Sequence, residues 1–338
     1  MVKEILVKPG KTGVVIMVLV LTGLLNGAGT PAPAEKEKVI AVVQQLLDVL
    51  ETGDIQKGKH TVIPGAYLAA VHEENSENPV NYRTFDEFFY SLAQSKDRRK
   101  ETMSGVKVII HKKIALVRAD YKLFLNSQLH HCGVNAFTLI KEKGAWKIVN
   151  VVYTFETRGC EKMNSAALPA DEGAKKKNIS VVQRFLDMLG TRDVSKADEI
   201  LMPGGLSASW RQQEGEGEGE GVVKIRPFKE LTDSLPGEKS KYKEVMTDPK
   251  VLIHKGIGVL CTGYKFYIDG KFSHGGIDIF SLIRAPGGWK IAGIVYTVEP
   301  LGEDSTSLYA AQIVGVGFHS FPGEAPMMTG RRRGNNSD

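Results

Sequence analysis

Val39, Val42, Val43, Leu46, Leu47 and Leu50 recur at helical spacing and form one apolar stripe, which predicts an amphipathic helix ending near Gly53. Thr84 and Glu87 stand in capping-box spacing before Phe88, Phe89 and Leu92, so a second helix is expected to start there. After Gly105 the period changes. Val106, Val108 and Ile110 alternate, His111-Lys112-Lys113 interrupts, and Ile114, Leu116 and Val117 resume, which reads as a β-hairpin. A longer strand runs on through Tyr121, Leu123 and Leu125. Residues 131–140 and 146–155 then predict a further hairpin around Glu142-Lys143-Gly144. Helices followed by an antiparallel sheet make an α+β unit.

The chain writes this unit twice. Val42-Val43-Gln44 returns as Val181-Val182-Gln183, and Val108-Ile109-Ile110-His111-Lys112 as Val251-Leu252-Ile253-His254-Lys255. Trp146-Lys147-Ile148 and Val152-Tyr153-Thr154 return as Trp289-Lys290-Ile291 and Val295-Tyr296-Thr297. The partner of Pro64 lies 139 residues on, at Pro203, and the partner of Phe85 lies 143 on, at Phe228. The added residues fall where the second copy holds the alternating run Glu214–Gly221, which has no apolar face and is expected to be a flexible surface loop. From His131 to Glu156, 13 of 26 positions match the second copy, so the C-terminal half of each unit is the tightest part of the repeat. A period this long is a duplicated domain rather than a solenoid unit. A length of 338 residues suits two domains.

The order of elements resembles the nuclear transport factor 2-like superfamily, which includes SnoaL-like polyketide cyclases and ketosteroid isomerases. The resemblance rests on the opening helix with Asp48 and Gly53-Asp54, on the strand Ile114-Ala115-Leu116-Val117, and on Gly144-Ala145-Trp146-Lys147-Ile148 in the final hairpin, which recurs as Gly287-Gly288-Trp289-Lys290-Ile291. It implies two tandem cone-shaped domains, each with N-terminal helices packed on a curved antiparallel sheet around an internal pocket. Fold alone does not choose between the enzymes and the binding proteins of such a superfamily.

The layout becomes a signal peptide at 1–34, domains at 35–157 and 179–300, a surface linker at 158–178, and a mostly disordered tail at 301–338. Lys3, Lys8 and Lys11 precede the apolar run Gly13–Leu25, and Ala32-Pro33-Ala34 supplies a small-x-small cleavage site before Glu35. That run is short for a membrane span, so the mature chain is expected to be exported, whether periplasmic, cell-surface or secreted, without a stable span. The net charge of +5 is modest, and no basic patch is interleaved with aromatics, so nucleic acid is not an expected partner. Cys132, Cys160 and Cys261 include no C-x-x-C, and none is matched by a Cys in the other copy, which argues against a zinc site built into the repeat. One disulfide and one free thiol fit an oxidising compartment.

Period two places His131, Asn135, Phe137 and Leu139 on one strand face, with His274, Asp278, Phe280 and Leu282 as their counterparts. If that face lines a pocket, Asp278 is the candidate general base and His274 its proton partner. Tyr121, Tyr153, Tyr264 and Tyr296 join His131 and Asn135 as candidate ligand contacts. Asn135 stands where Asp278 does, so acid–base chemistry would belong to the second copy alone. His111 and His254 match between copies but sit at hairpin turns, where exposure is expected, and their spacing supplies no further metal ligands. Trp146 and Trp289 read as core anchors. Tyr153-Thr154-x-Glu156, repeated as Tyr296-Thr297-x-Glu299, reads as strand structure at a pocket rim or domain interface. There is no Ser-His-Asp order, G-x-G-x-x-G or P-loop, and neither a cofactor nor a metal is expected. Two pocket-forming domains without a complete catalytic set favour a non-catalytic binder of a small apolar molecule or a protein partner. The alternative is a lyase, isomerase or cyclase acting on a small carbonyl compound in the second domain. The two domains are expected to pair within the chain through their outer sheet faces, with Val151, Tyr153, Ile294 and Tyr296 near the contact or on the pocket side.

Overall fold

The computed structural model describes residues 33–72, 79–162, 171–212 and 221–300. The signal segment, most of the Glu–Gly run and the tail read from the sequence lie outside them. The first unit runs α1 (Pro33–Thr52), α2 (Ile55–Thr61), β1 (Val62–His72), β2 (Val80–Thr84), α3 (Phe85–Gln94), β3 (Arg99–His111), β4 (Ile114–Leu125), β5 (Gln128–Glu142) and β6 (Ala145–Phe155). The second repeats it as α4 (Glu172–Thr191), α5 (Ala197–Ile200), β7 (Leu201–Gln212), β8 (Gly221–Pro227), α6 (Phe228–Ser234), β9 (Tyr242–His254), β10 (Ile257–Ile268), β11 (Lys271–Ala285) and β12 (Gly288–Val298).

Local signals explain most of these elements. Thr84 caps α3 by accepting from the Glu87 amide at 3.2 Å, while the Glu87 carboxylate accepts from the Thr84 amide at 2.8 Å. Pro227 takes that place in the second unit and offers no side-chain cap. The last four strands of each unit form an antiparallel meander, in the order β6-β5-β4-β3 and β12-β11-β10-β9. The sheets are mixed rather than wholly antiparallel, because β1 and β7 run parallel to β6 and β12. Alternation alone did not reveal β1 and β2: Ala66–Val71 is a continuous buried run, as a strand covered on both faces reads. Helix α4 begins at Glu172, inside the segment read as linker, because the Asp171 carboxylate accepts from the Ala174 amide at 2.9 Å and caps it.

Helices pack on the concave face of each sheet, and the convex faces meet. Ala136, Ile140 and Val152 of the first unit share one buried cluster with Ile277, Ile279, Ala292 and Val295 of the second. Of the two placements expected for Val151, Tyr153, Ile294 and Tyr296, they take the pocket side and line the cavities. At the centre of the contact, Asn150 is fully buried and donates to the Tyr67 hydroxyl at 2.9 Å. Its carbonyl accepts from Thr138 and, at 3.3 Å, from Ser281. The Tyr67 hydroxyl donates in turn to the carbonyl of Ala292. The counterpart of Asn150 is Gly293, and a Cβ there would lie 2.5 Å from the Asn150 amide nitrogen.

Two reciprocal ion clusters flank this centre. Glu299 meets His111 Nε2 at 2.7 Å and Lys112 Nζ at 2.6 Å. Glu156 meets His254 Nε2 at 2.8 Å and also Lys255. The exposure expected of the turn histidines is therefore wrong for His111, which is 8 % exposed, and His254 is half-buried. Each turn projects from one unit onto the last strand of the other, an isologous contact in which both halves play both roles. The repeated Thr-x-Glu now has a reason. Thr154 donates to Glu156 at 2.8 Å, Thr297 donates to Glu299 at 2.7 Å, and each threonine aims its glutamate across the contact.

Candidate functional sites: two buried-acid cavities

Each unit encloses a cavity between helices and concave sheet, of about 370 Å³ in the first unit and about 320 Å³ in the second.

The first cavity is walled by leucines of α1 and by Phe85, Phe88 and Phe137. In it the Asn135 amide donates to Glu101 at 2.7 Å. Burial raises the Glu101 carboxyl to about 7, although the Asn135 hydrogen bond pulls the other way. His131 stacks on Phe155 with centroids 4.0 Å apart, and His72 stacks on the same ring at 4.5 Å. Burial, helped by the neighbouring His130 and His72, pushes His131 down to about 4, so it is neutral at physiological pH. Tyr121 presents its ring, but its hydroxyl donates to the Thr154 carbonyl at 2.7 Å. Tyr153 lines the cavity beside Arg83.

The second cavity repeats this plan with one change. Glu244 occupies the position of Glu101, and Asp278 that of Asn135, so a carboxyl faces a carboxyl. Burial, then the charge and hydrogen bond of Glu244, raise Asp278 well above the ordinary carboxylate range. Burial also lifts Glu244 to about 7. Asp278 is 3 % exposed, and its Oδ2 has no hydrogen-bond partner among the described residues. His274 stacks on Phe266 at 4.8 Å, and burial with the nearby Arg211 holds it down to about 4. Tyr264 donates to the Thr297 carbonyl at 2.7 Å, and Tyr296 bonds to Ser209.

The structure thus brings all eight sequence-predicted site residues into the two cavities, four to each. It gives them different roles in detail. The hydroxyls of Tyr121 and Tyr264 are committed to backbone, and burial beside Glu244 favours the protonated form of Asp278. The sequence reading missed Glu101 and Glu244. The signal was present: Lys100-Glu101-Thr102-Met103 returns as Lys243-Glu244-Val245-Met246 at the same spacing of 143. Among the described residues, no group of three or more His, Cys, Asp or Glu is placed to hold a metal ion.

With this topology and an internal cavity in each half, the chain consists of two tandem α+β domains with a nuclear transport factor 2-like fold. Residues 34–154, the first unit, match the family model described as "Putative lumazine-binding". Solved structures resemble one unit at a time. A nuclear transport factor 2-like protein of unknown function from Shewanella baltica OS155 is 15 % identical, covering 38 % of this chain and 98 % of that one with a TM-score of 0.30. A nuclear transport factor 2-like superfamily protein from Salmonella enterica serovar Typhimurium LT2 is 14 % identical, covering 39 % and 95 % with a TM-score of 0.31. A protein with a cystatin-like fold from Nostoc punctiforme PCC 73102 is 9 % identical, covering 38 % and 95 % with a TM-score of 0.32. No curated protein matches the chain.

Proposed function

We propose that this is an exported, non-catalytic small-molecule-binding protein whose two cavities take flat, largely apolar guests. The observation that carries the reading is the hydrogen-bonded Glu101–Asn135 pair in the wall of a cavity that leucines, phenylalanines and tyrosines line together with Arg83, Asp97 and Arg99. A buried acid with only an amide for company is costly to keep, and a guest with an N–H edge would satisfy it. Stacked rings at His131, Phe155 and His72 suit a planar body. The family description of the first unit names a molecule of that kind. Export is supported by the basic-then-apolar start of the chain and by the disulfide between Cys132 and Cys160. Among the described residues, no helix is long and apolar enough to cross a membrane.

Fluorescence titration and native mass spectrometry with lumazine and related N–H heterocycles test the reading. Saturable binding is expected, with the first cavity's share weakened tenfold or more by Glu101→Ala. Failure of every such heterocycle to bind would remove the proposal. The enzymatic alternative rests on the Glu244–Asp278 pair beside His274, a proton donor and acceptor in one cavity. Turnover of a small carbonyl compound that disappears in Asp278→Asn would favour it.

A further inference from the structure

We propose that the second cavity binds a small organic cation, an amine or amidine on a flat apolar body, and that the Glu244–Asp278 pair releases its shared proton as the cation enters. The inference rests on the reading of the second cavity as a small-molecule site and adds the charge of its guest.

The internal repeat supplies the comparison. In the first cavity Asn135 donates to Glu101, a pairing of one acid and one amide that needs no proton between them. The second cavity has two carboxyls in hydrogen-bond contact, and two carboxyls can meet this way only with a proton between them. Among the described residues, neither Glu244 nor Asp278 makes an ion pair with a Lys, Arg or His. Oδ2 of Asp278 is buried and unpartnered on a side chain that lines the cavity. This is an acceptor waiting for a donor.

The surroundings suit a cation. Tyr264, Phe266, Tyr296 and Phe280 line the cavity, and aromatic rings favour positive charge over their faces. The charged and titratable groups around Asp278 and its cavity are Glu244 and Tyr242 on β9, Tyr264 and Cys261 on β10, His274 on β11, Tyr296 on β12 with Glu299 just beyond it, Arg211 on β7, Arg226 on β8, and Glu238 ahead of β9. Glu299 is occupied across the unit contact by His111 and Lys112. His274 is neutral and does not compete for the acids. Arg226 is engaged by Glu230 at 3.2 Å, and Arg211 is exposed, where water screens it. Entry of one cation with departure of one proton to solvent leaves the net charge of the cavity unchanged. The exchange therefore avoids creating a new uncompensated charge in a buried site.

Benzamidine and its neutral near-isostere benzamide distinguish the possibilities. Both are titrated calorimetrically at pH 7 into the full chain and into its Glu101→Gln variant, which removes the acid of the first cavity. Phosphate and Tris buffers, which differ in ionisation heat, report the protons released. Benzamidine is expected to bind at least tenfold more tightly than benzamide, to release up to one proton per molecule bound, and to do so equally in Glu101→Gln. Asp278→Asn, which leaves one acid and one amide as in the first cavity, is expected to weaken benzamidine binding and to reduce the proton release. Glu244→Gln/Asp278→Asn is expected to lose the preference for the cation, with thermal melting by circular dichroism confirming that it folds. Benzamide binding as tightly as benzamidine would overturn the inference and leave the small-molecule reading standing. Benzamidine binding without proton release would overturn the proton exchange. If neither molecule binds, the inference falls together with the small-molecule reading of the second cavity.

Discussion

Glu299→Gln is the sharpest probe of how the two halves are held. Glu299 is fully buried, and burial alone would raise its carboxyl. The hydrogen bonds and charges of His111 and Lys112 outweigh burial and hold it down to about 2, against an ordinary 4.5. A group whose folded value lies below its unfolded value stabilises the fold above the unfolded value and loses that contribution as pH falls toward the folded one. The difference corresponds to about 3 kcal/mol at pH 7, of which roughly 1.5 kcal/mol remains at pH 3. Urea unfolding followed by circular dichroism should therefore show Glu299→Gln about 3 kcal/mol less stable than the parent at pH 7. The gap should narrow to roughly half at pH 3. A gap under about 1 kcal/mol at pH 7, or one that does not change with pH, would refute the argument, because either result means that the ionised carboxylate is not what the contact uses. Glu156→Gln should behave alike but cost less, since its partner His254 is 15 % exposed against 8 % for His111 and is better screened.

Other expectations can be checked in the same way. Gly276→Ala places a Cβ 2.2 Å from the Thr297 carbonyl oxygen, a backbone atom that cannot step aside, so a loss of roughly 2–3 kcal/mol in urea unfolding is expected. Thiol titration of the oxidised protein should find no reactive cysteine when folded and one when unfolded, because Cys261 is buried and Cys132 is joined to Cys160. Replacing both bonded cysteines by Ala should cost about 2–4 kcal/mol. Light scattering with size-exclusion chromatography should give a monomer, since the convex sheet faces are already used within the chain; a stable homodimer would contradict this.

The helices and the meander were legible because each carried its own period: the stripe from Val39 to Leu50, the capping box at Thr84, and the alternation from Val106 onward. The strand at Ala66–Val71 was not, because burial on both faces erases alternation. The cavity face was legible from period two along β5 and β11, which brought His131, Asn135, His274 and Asp278 to the right side. Glu101 and Glu244 escaped notice because a lone acid on a strand resembles a solvated one until its partner across the sheet is known. His111 and His254 were read as exposed because a turn looks like surface when only one unit is considered; their partners, Glu299 and Glu156, lie 188 and 98 residues away.

The pairing of Asn150 with Gly293 has a consequence for how such a chain can change. When two identical subunits meet about a twofold axis, whatever stands beside the axis faces a copy of itself, and a protruding side chain on one partner is a protruding side chain on the other. A knob facing a socket is open only to halves that are encoded separately and still travel together. Duplication on a single chain supplies that freedom: Asn150 fills the space that Gly293 leaves empty, and no second asparagine competes for it. The same freedom extends to the cavities, where one half can keep an amide at residue 135 while the other places an acid at residue 278.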